Sequence, residues 1–395
     1  MEKHGTRVLF QPVKFASVTS RNRIVMAPMV TNFSNLDEEV TDRQIQYYAE
    51  RARGGAGTIV VEASNVKPDI RISARQIGSY DDRFIPGLSK LASAIKSQGT
   101  VALLQLLHGG PKVLPDQRCE SASPVGVRMG QVPKQLSSSD LRRIRQAYVR
   151  AASRAKKAGF DGVELHAAHL YLLSAFLSPF TNKRTDAYGG SLDNRVRLLR
   201  EVIEDIKTDL GSSWPIWVRM NACELLQPGL SLEEGLEAAK TMTEAGTDAI
   251  HVSAYVLPIN KNITSMVNIR VGAIPLKDSP PGPLLKYAAA IKRVVRVPVI
   301  GVGKLDDPQL AADAVIDGKC DMIALGRQLI CDPYWPSRLE KGQEKEIVHC
   351  NYCNTCHTAQ QQGKDLRCAK NKNLFGEPIY KRPRRRSENV NVTVT

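Results

Sequence analysis

Short apolar, β-branched runs recur along the chain, separated by amphipathic stretches, which is the pattern of parallel strands joined by crossover helices. The runs fall at 23–29, 58–63, 101–107, 162–166, 216–220, 249–253, 299–302 and 322–325. Eight such strands are the number that closes a (β/α)8 barrel. The intervening stretches carry helix start and stop signals. Ser139 and Asp140 precede the periodic stretch 141–157 with Gly159 beyond it, and Ser231 precedes 232–244 with Gly246 beyond. The expectation is an α/β protein with a single TIM barrel over 1–345, a cysteine-rich segment over 346–380 and a basic tail over 381–395. A short helix near 332–341 should follow the last strand. An open doubly wound sheet is the rival, but it normally carries a G-x-G-x-x-G turn after an early strand. Gly301-Val302-Gly303 is only a fragment of that motif.

Composition adds limits rather than detail. With 395 residues and 42% hydrophobic content, one large barrel or two ordinary domains would both be permitted, so the periodicity decides. No run of about 18 apolar residues occurs and the first residues have no long apolar core, so a cytoplasmic protein is expected. The formal charge of +15 suits nucleic acid, an acidic membrane surface or phosphate-bearing small molecules. Part of the excess sits in Lys381, Arg382, Arg384, Arg385 and Arg386, read as a solvated chain end. Neither nucleic acid nor membrane is therefore an expected partner, and homo-oligomer formation is left open.

In such a barrel the reactive groups stand at the carboxyl ends of the strands. Those positions hold Ala27-Pro28-Met29, Glu62-Ala63, Gln105 with His108, His166 with His169 and Tyr171, Arg219, Gly303, and Gly326-Arg327. Two imidazole donors aimed at one oxygen would polarise a carbonyl, a contribution of about 2.7 to 4 kcal/mol per donor. Tyr171 could protonate the adjacent carbon, an effect typically of about 10² to 10⁴ in rate. A pair of structural histidines, or of metal ligands, would read the same way. Gly303 and Gly326-Arg327 follow strands seven and eight, where barrels often bind phosphate. A tight turn with a surface arginine is the plainer alternative. Arg219 offers a fixed charge to a ring that becomes negative on reduction, or one half of an ion pair inside the barrel. Gln105 matches the mixed donor and acceptor edge of a pyrimidine, and equally a buried amide satisfied by backbone.

Over most of 9–339 the chain resembles the old yellow enzyme family of FMN oxidoreductases. The densest stretch is 166–195, with Phe176-Leu177-Ser178-Pro179, Asn182-Lys183-Arg184-Thr185-Asp186-Ala187-Tyr188-Gly189-Gly190-Ser191 and Asp193-Asn194-Arg195. Gly326-Arg327 with Asp332-Pro333-Tyr334-Trp335-Pro336 is similar to the family's closing segment, and Ala27-Pro28-Met29 to its first FMN-contacting strand. The resemblance implies that Ala27, Pro28, Met29, Val30, Ala63, Gln105, Arg219, Gly303, Gly326 and Arg327 surround FMN. It implies that His166 and His169 bind the substrate oxygen and that Tyr171 is the proton donor. Two departures bear on this. Val30 stands where relatives carry Thr, Cys or His, and strand alternation should turn the neighbouring Thr31 elsewhere. Leu170 stands where the family usually has glycine.

Cys350-x2-Cys353-x2-Cys356 and, after eleven intervening residues, Cys368 supply thiolates suited to a [4Fe-4S] cube. Zinc, with His349 or His357, and no metal at all are the alternatives. The other cysteines, Cys119, Cys223, Cys320 and Cys331, are scattered. The spacing, with Asn354 and Arg367-Cys368, resembles the iron–sulfur branch of the family, trimethylamine dehydrogenases and 2,4-dienoyl-CoA reductases. Those relatives continue into a nucleotide-binding second half, while this sequence ends at Thr395. The expectation is that a cluster exchanges electrons with an external electron-transfer protein, or is structural, or that FMN takes hydride directly from NAD(P)H.

The function so implied is reduction of the activated C=C of a small α,β-unsaturated carbonyl compound with electrons from NAD(P)H. The alternative is an amine dehydrogenase or demethylase passing electrons to an external acceptor. A non-catalytic FMN protein is a third reading, which Tyr171 and the histidine pair disfavour.

Overall fold

The computed structural model describes residues 5–128, 130–255 and 277–376. The basic run Lys381 to Arg386 and the last residues of the cysteine-rich segment, 377–380, lie outside the described residues. Eight strands form a closed parallel barrel: β1 (Ile24–Met26), β2 (Thr58–Asn65), β3 (Val101–Leu107), β4 (Gly162–Ala167), β5 (Ile216–Glu224), β6 (Ala249–Tyr255), β7 (Val299–Val302) and β8 (Met322–Leu325). Each lies where the sequence pattern predicts a strand, in chain order around the barrel, with β8 pairing β1 to close it.

Among the described residues seven helices cross over outside: α1 (Asp42–Arg53), α2 (Ile85–Lys96), α3 (Ser138–Lys157), α4 (Leu192–Leu210), α5 (Leu232–Glu244), α6 (Leu285–Lys292) and α7 (Pro308–Ile316). Helix α5 begins from Ser231 as its spacing predicts. The cap of helix α3 lies two residues before the predicted one. Ser137, not Ser139, takes the Asp140 N–H on its hydroxyl while the Asp140 carboxylate accepts the Ser137 N–H. This reciprocal box satisfies two amides that an exposed helix start would otherwise leave open. The short helix expected near 332–341 is Trp335–Glu340.

The inside of the barrel is layered. Val60, Leu103, Trp217, Ile300 and Met322 fill the amino-terminal end, and Phe15 from the hairpin Val13–Phe15/Val18–Ser20 packs edge-on against Trp217 at 4.9 Å. That end is therefore a closed apolar plug, and the polar side chains collect at the opposite mouth. Pairing of β2 with β3 shifts register between Val61 and Ser64. Such an irregularity re-aims a side chain, and the Glu62 carboxylate here meets Gln44 and Tyr48 of α1.

Beyond β8 the chain runs through two short helices, Arg327–Cys331 and Trp335–Glu340, into the cysteine segment with its helix Thr355–Gln361. This segment is stitched to the first βα loop and to helix α1. Leu366 N–H donates to the Thr31 carbonyl at 2.8 Å, Asn32 Nδ2 to the Lys364 carbonyl at 2.9 Å, and Arg51 Nη1 to the Leu374 carbonyl at 2.6 Å.

Candidate active site

Three rings converge where β4 ends. His166 lies 4.9 Å from His169 and 4.6 Å from Tyr171, centroid to centroid, and His169 lies 6.3 Å from Tyr171. The turn that gathers them runs through two consecutive left-handed residues, His169 with φ 62° and Leu170 with φ 57°. Side chains other than glycine lose about 1–2 kcal/mol in that conformation. The turn is held on both sides: His169 N–H donates to Asn221 Oδ1 at 3.2 Å, Leu170 N–H to Ser174 Oγ at 3.2 Å, and Lys112 Nζ to the His169 carbonyl at 3.1 Å. Leu170 is fully buried and packs with Val127, Phe180 and Leu226. The substitution for glycine thus fills a small apolar contact between loops, and Tyr171 remains beside the histidines.

The protonation of the rings follows from their partners. Ala168 N–H donates to His166 Nδ1 at 3.3 Å, which assigns the ring proton to Nε2. Burial, then the charges of Arg219, Lys112 and His251, hold His166 well below the usual histidine range. Burial and His166, Arg219, Lys112 and His251 do the same to His169, whose Nε2 lies 2.8 Å from Ser253 Oγ. Both imidazoles are therefore neutral, and His166 presents an N–H. Burial pushes the Tyr171 phenol up to about 12, so it keeps its proton. His169 and Tyr171 are partly exposed at the barrel mouth while His166 is buried below them.

A buried network underlies these rings. Glu164, two residues before His166 and on the same face of β4, accepts from Gln105 Nε2 at 2.7 Å and pairs with His251 Nδ1 at 2.8 Å. The bond to Glu164 fixes which way the Gln105 amide faces. Arg219 is 9% exposed and its Nε has no hydrogen-bond partner among the described residues. A buried guanidinium N–H of this kind is costly unless something accepts from it.

Ala27 and Gly326 stand side by side at the junction of β1 and β8. A Cβ at position 326 would lie 3.1 Å from Met29 Sδ and 3.8 Å from Ala27 Cβ. Gly303, with φ 107°, ends β7 in a conformation that favours glycine. Pro28, Met29 and Val30 are partly exposed at the mouth, and Ala63 is buried. An orphaned arginine N–H, an oriented amide and a lining of small residues form a donor set that fits the isoalloxazine of FMN. Thr31 is turned away, as alternation predicts, with its hydroxyl on Glu62.

Arg327 reaches sideways. Its Nη1 donates to Asn354 Oδ1 at 2.8 Å and its guanidinium lies 4.6 Å from the Tyr352 ring centroid, so the arginine proposed for phosphate also touches the cysteine segment. His108, which shares a strand end with Gln105, is spent on structure: its Nδ1 accepts from Gly110 N–H and its Nε2 faces Glu120 at 3.0 Å.

Cys350, Cys356 and Cys368 lie close enough to feel one another's charge. Backbone N–H groups donate to two of the sulfurs, Tyr352 to Cys350 Sγ and Asn371 to Cys368 Sγ, both at 3.4 Å. Tyr352 and Asn354 are left-handed, with φ 55° and 58°, which curls the loop around its own thiols. Among the described residues no group of three or more His, Cys, Asp or Glu side chains is arranged to hold a metal ion. A cavity of about 360 Å³ lies beside this segment, lined in part by Cys368, Arg367 and Lys372.

Sequence reasoning missed Glu164, His251 and Lys112. Strand alternation from His166 would have found Glu164, since residues two apart share a face. Nothing local marks Lys112, which a tight turn brings beside Tyr171.

The fold and site have clear relatives. An NADH oxidase from Thermoanaerobacter brockii is 38% identical over 380 residues, covering 94% of this chain and 57% of that protein. An NADPH dehydrogenase from Bacillus licheniformis is 36% identical over 346 residues, covering 87% of this chain and 97% of that one. Among solved structures, a 2-naphthoyl-CoA reductase in complex with 2-naphthoyl-CoA superposes with a TM-score of 0.84 at 29% identity over 92% of this chain and 56% of that one. Histamine dehydrogenase from Rhizobium sp. 4-9 follows at 0.83 and 28%, over 94% and 53%. The chain thus spans little more than half the length of several of these relatives. No helix among the described residues is long and apolar enough to cross a membrane. Residues 8–346 match the NADH:flavin oxidoreductase / NADH oxidase family throughout the barrel, and the chain belongs to that family, the old yellow enzymes.

Proposed function

We propose that this chain binds FMN at the barrel mouth and reduces the activated C=C of an α,β-unsaturated carbonyl compound, with NAD(P)H as the source of electrons. The observation that carries the reading is the ring cluster of His166, His169 and Tyr171, in which two neutral imidazoles and a protonated phenol face one another. Bound FMN would supply the hydride chemistry, held by Ala27, Pro28, Met29, Val30, Ala63, Gln105 and Arg219, with Gly303, Gly326 and Arg327 at its phosphate. His166 Nε2–H and His169 take the substrate carbonyl oxygen and draw electron density from the alkene. Tyr171 delivers its phenolic proton to the carbon next to the carbonyl. Neutral histidines suit this task, because they donate without trapping the enolate as a salt.

The four thiols are not gathered into a metal-holding group among the described residues, and what supports an iron–sulfur site there is their spacing together with the N–H···S bonds to Cys350 and Cys368. Cys350, Cys353, Cys356 and Cys368 would hold a [4Fe-4S] cluster, which supplies one-electron transfer to an external partner.

Amine oxidation is the competing reading, given the similarity to histamine dehydrogenase. Lys112 and Arg219 beside the rings repel a cationic amine.

The test is an anaerobic half-reaction in which the reduced protein is mixed with cyclohexenone and the flavin's visible absorption is followed. Rapid reoxidation, slowed in Tyr171→Phe, supports ene-reduction. A flavin that stays reduced with the enone, while the oxidised protein is bleached by a methylated amine, replaces it with the amine dehydrogenase.

A further inference from the structure

Cys331 stands outside the spacing that marks the cysteine segment, yet it ends the short helix Arg327–Cys331 directly beside that segment. Its thiol has two acceptors, the Val348 carbonyl oxygen at 3.5 Å and the sulfur of Cys368. Two thiols far apart in the chain therefore meet inside the protein.

The contact is built from both sides, because residues 348–350 bond to the helix on one hand and to the loop carrying Cys368 on the other. On the helix side Gln328 Nε2 donates to the Val348 carbonyl at 3.1 Å, and Cys350 N–H donates to Gln328 Oε1 at 2.8 Å. Val348 N–H donates to Asp332 Oδ2 at 2.9 Å. On the loop side Lys370 Nζ donates to the His349 carbonyl at 2.7 Å, and Asn371 N–H donates to the Cys368 sulfur at 3.4 Å. Cys350 and Cys356 feel the charge of Cys368, but the thiol that hydrogen-bonds it is that of Cys331.

Access differs between the two. Cys331 is 1% exposed, so a reagent does not reach it first. Cys368 is partly exposed and lines the cavity of about 360 Å³, whose walls include Arg367 and Lys372. Those cations favour an anionic reagent, and glutathione disulfide carries net negative charge at neutral pH. A solvent-reached thiol touching a buried one is the arrangement of an attacking and a resolving cysteine.

We infer that Cys331 and Cys368 form a reversible disulfide by exchange with a small disulfide of the glutathione type. The Cys368 sulfur attacks one sulfur of the reagent, whose S–S bond breaks, and the first glutathione leaves with the Cys368 proton. Cys331 then attacks the Cys368 sulfur of the mixed disulfide, and the second glutathione leaves with the Cys331 proton. Two protein thiols are oxidised and one glutathione disulfide is reduced to two glutathiones. The sulfurs have only to close from hydrogen-bond contact to about 2.05 Å. The link goes beyond the ene-reductase and cluster readings and needs neither. Cys368 is also assigned to the cluster, so the disulfide and a cluster holding all its ligands exclude one another.

The test is a peptide map of the full-length protein. Protein purified without oxygen is assayed for iron and divided, one half being freed of metal with a chelator. Both halves are equilibrated with reduced and oxidised glutathione, open thiols are blocked with N-ethylmaleimide, and the chains are digested without reductant for mass spectrometry. In the chelator-treated half the peptides carrying Cys331 and Cys368 should appear as one linked species, which dithiothreitol separates. In Cys331→Ser that species should be lost and Cys368 found joined to glutathione, with a wild-type circular dichroism spectrum as the check on folding. Cys368 joined to Cys350, Cys353 or Cys356 in the wild type overturns the inference, as does Cys368 left as a glutathione adduct or open to N-ethylmaleimide. That reading is made on the wild type and holds even if the variant does not fold. Iron decides the cluster separately. Iron-free protein that links sinks the cluster and supports the pair. Iron-loaded protein that fails to link once stripped keeps the cluster and overturns the pair, and linking in the untreated, iron-loaded half supports the pair and removes Cys368 from the ligand set.

Discussion

Thr31 gives Glu62 both its backbone N–H, at 2.7 Å, and its hydroxyl, at 2.5 Å, inside the protein. Glu62 also accepts from Gln44 Nε2 at 2.5 Å, so one carboxylate ties the first βα loop to helix α1. Burial raises Glu62 to about 7 in spite of these donors. A carboxyl group whose folded pKa lies above its ordinary value of 4.5 binds its proton more tightly in the native state. Its contribution to stability is therefore greatest below about pH 4.5 and falls as the pH rises through about 7. The melting temperature should drop more between pH 5 and 8 in the wild type than in Glu62→Gln, whatever the variant's absolute stability. Parallel pH profiles would refute the raised pKa.

Tyr171→Phe removes the proposed proton donor and leaves the ring. Reoxidation of the reduced flavin by an enone should slow by about 10² to 10⁴, the usual range for loss of a general acid. Because burial pushes the phenol up to about 12, the wild-type rate should stay flat between about pH 6 and 9. A stopped-flow series that falls tenfold per pH unit across this range would point to a different acid.

At Leu170 the usual order of small substitutions should invert. Truncation to alanine removes the contacts with Val127, Phe180 and Leu226 and keeps the left-handed strain. The cost should be about 2–5 kcal/mol, typical of a buried leucine. Glycine loses the same contacts but relieves the strain of about 1–2 kcal/mol. Leu170→Gly should therefore be the more stable of the two in urea unfolding. A less stable glycine variant would show that the turn's other bonds, not φ, set its energy.

Iron content decides the cysteine segment. Protein purified without oxygen should carry about four iron and four sulfide per chain, lost in Cys350→Ser and in Cys368→Ser. Zinc in place of iron, or iron retained in both variants, would rule out the cluster as assigned.

The barrel was legible because its signal is repeated. Eight runs of β-branched residues lie where the strands lie, and a closed apolar end forces the polar residues to the other mouth. The densest part of the site was legible for a related reason, since His166, His169 and Tyr171 are neighbours along the chain. What remained hidden depends on contacts between distant segments. Glu62 leaves its strand's alternation at a register shift that the sequence around it does not mark. Lys112 reaches Tyr171 only because Gly110 lets two loops touch. Leu170 reads as a departure from the family's glycine until Val127 and Leu226, from two other loops, are seen to cover it.

The bonds from Leu366 N–H to the Thr31 carbonyl and from Asn32 Nδ2 to the Lys364 carbonyl have a consequence for how such proteins diversify. The same loop that presents Pro28, Met29 and Val30 to the mouth of the barrel is buttressed from behind by the cysteine segment. Transplanting that segment from one relative to another is then not a neutral swap of an accessory. It shifts the backing of the loop on which the barrel mouth depends, so the two regions can be expected to be inherited, or redesigned, as a unit.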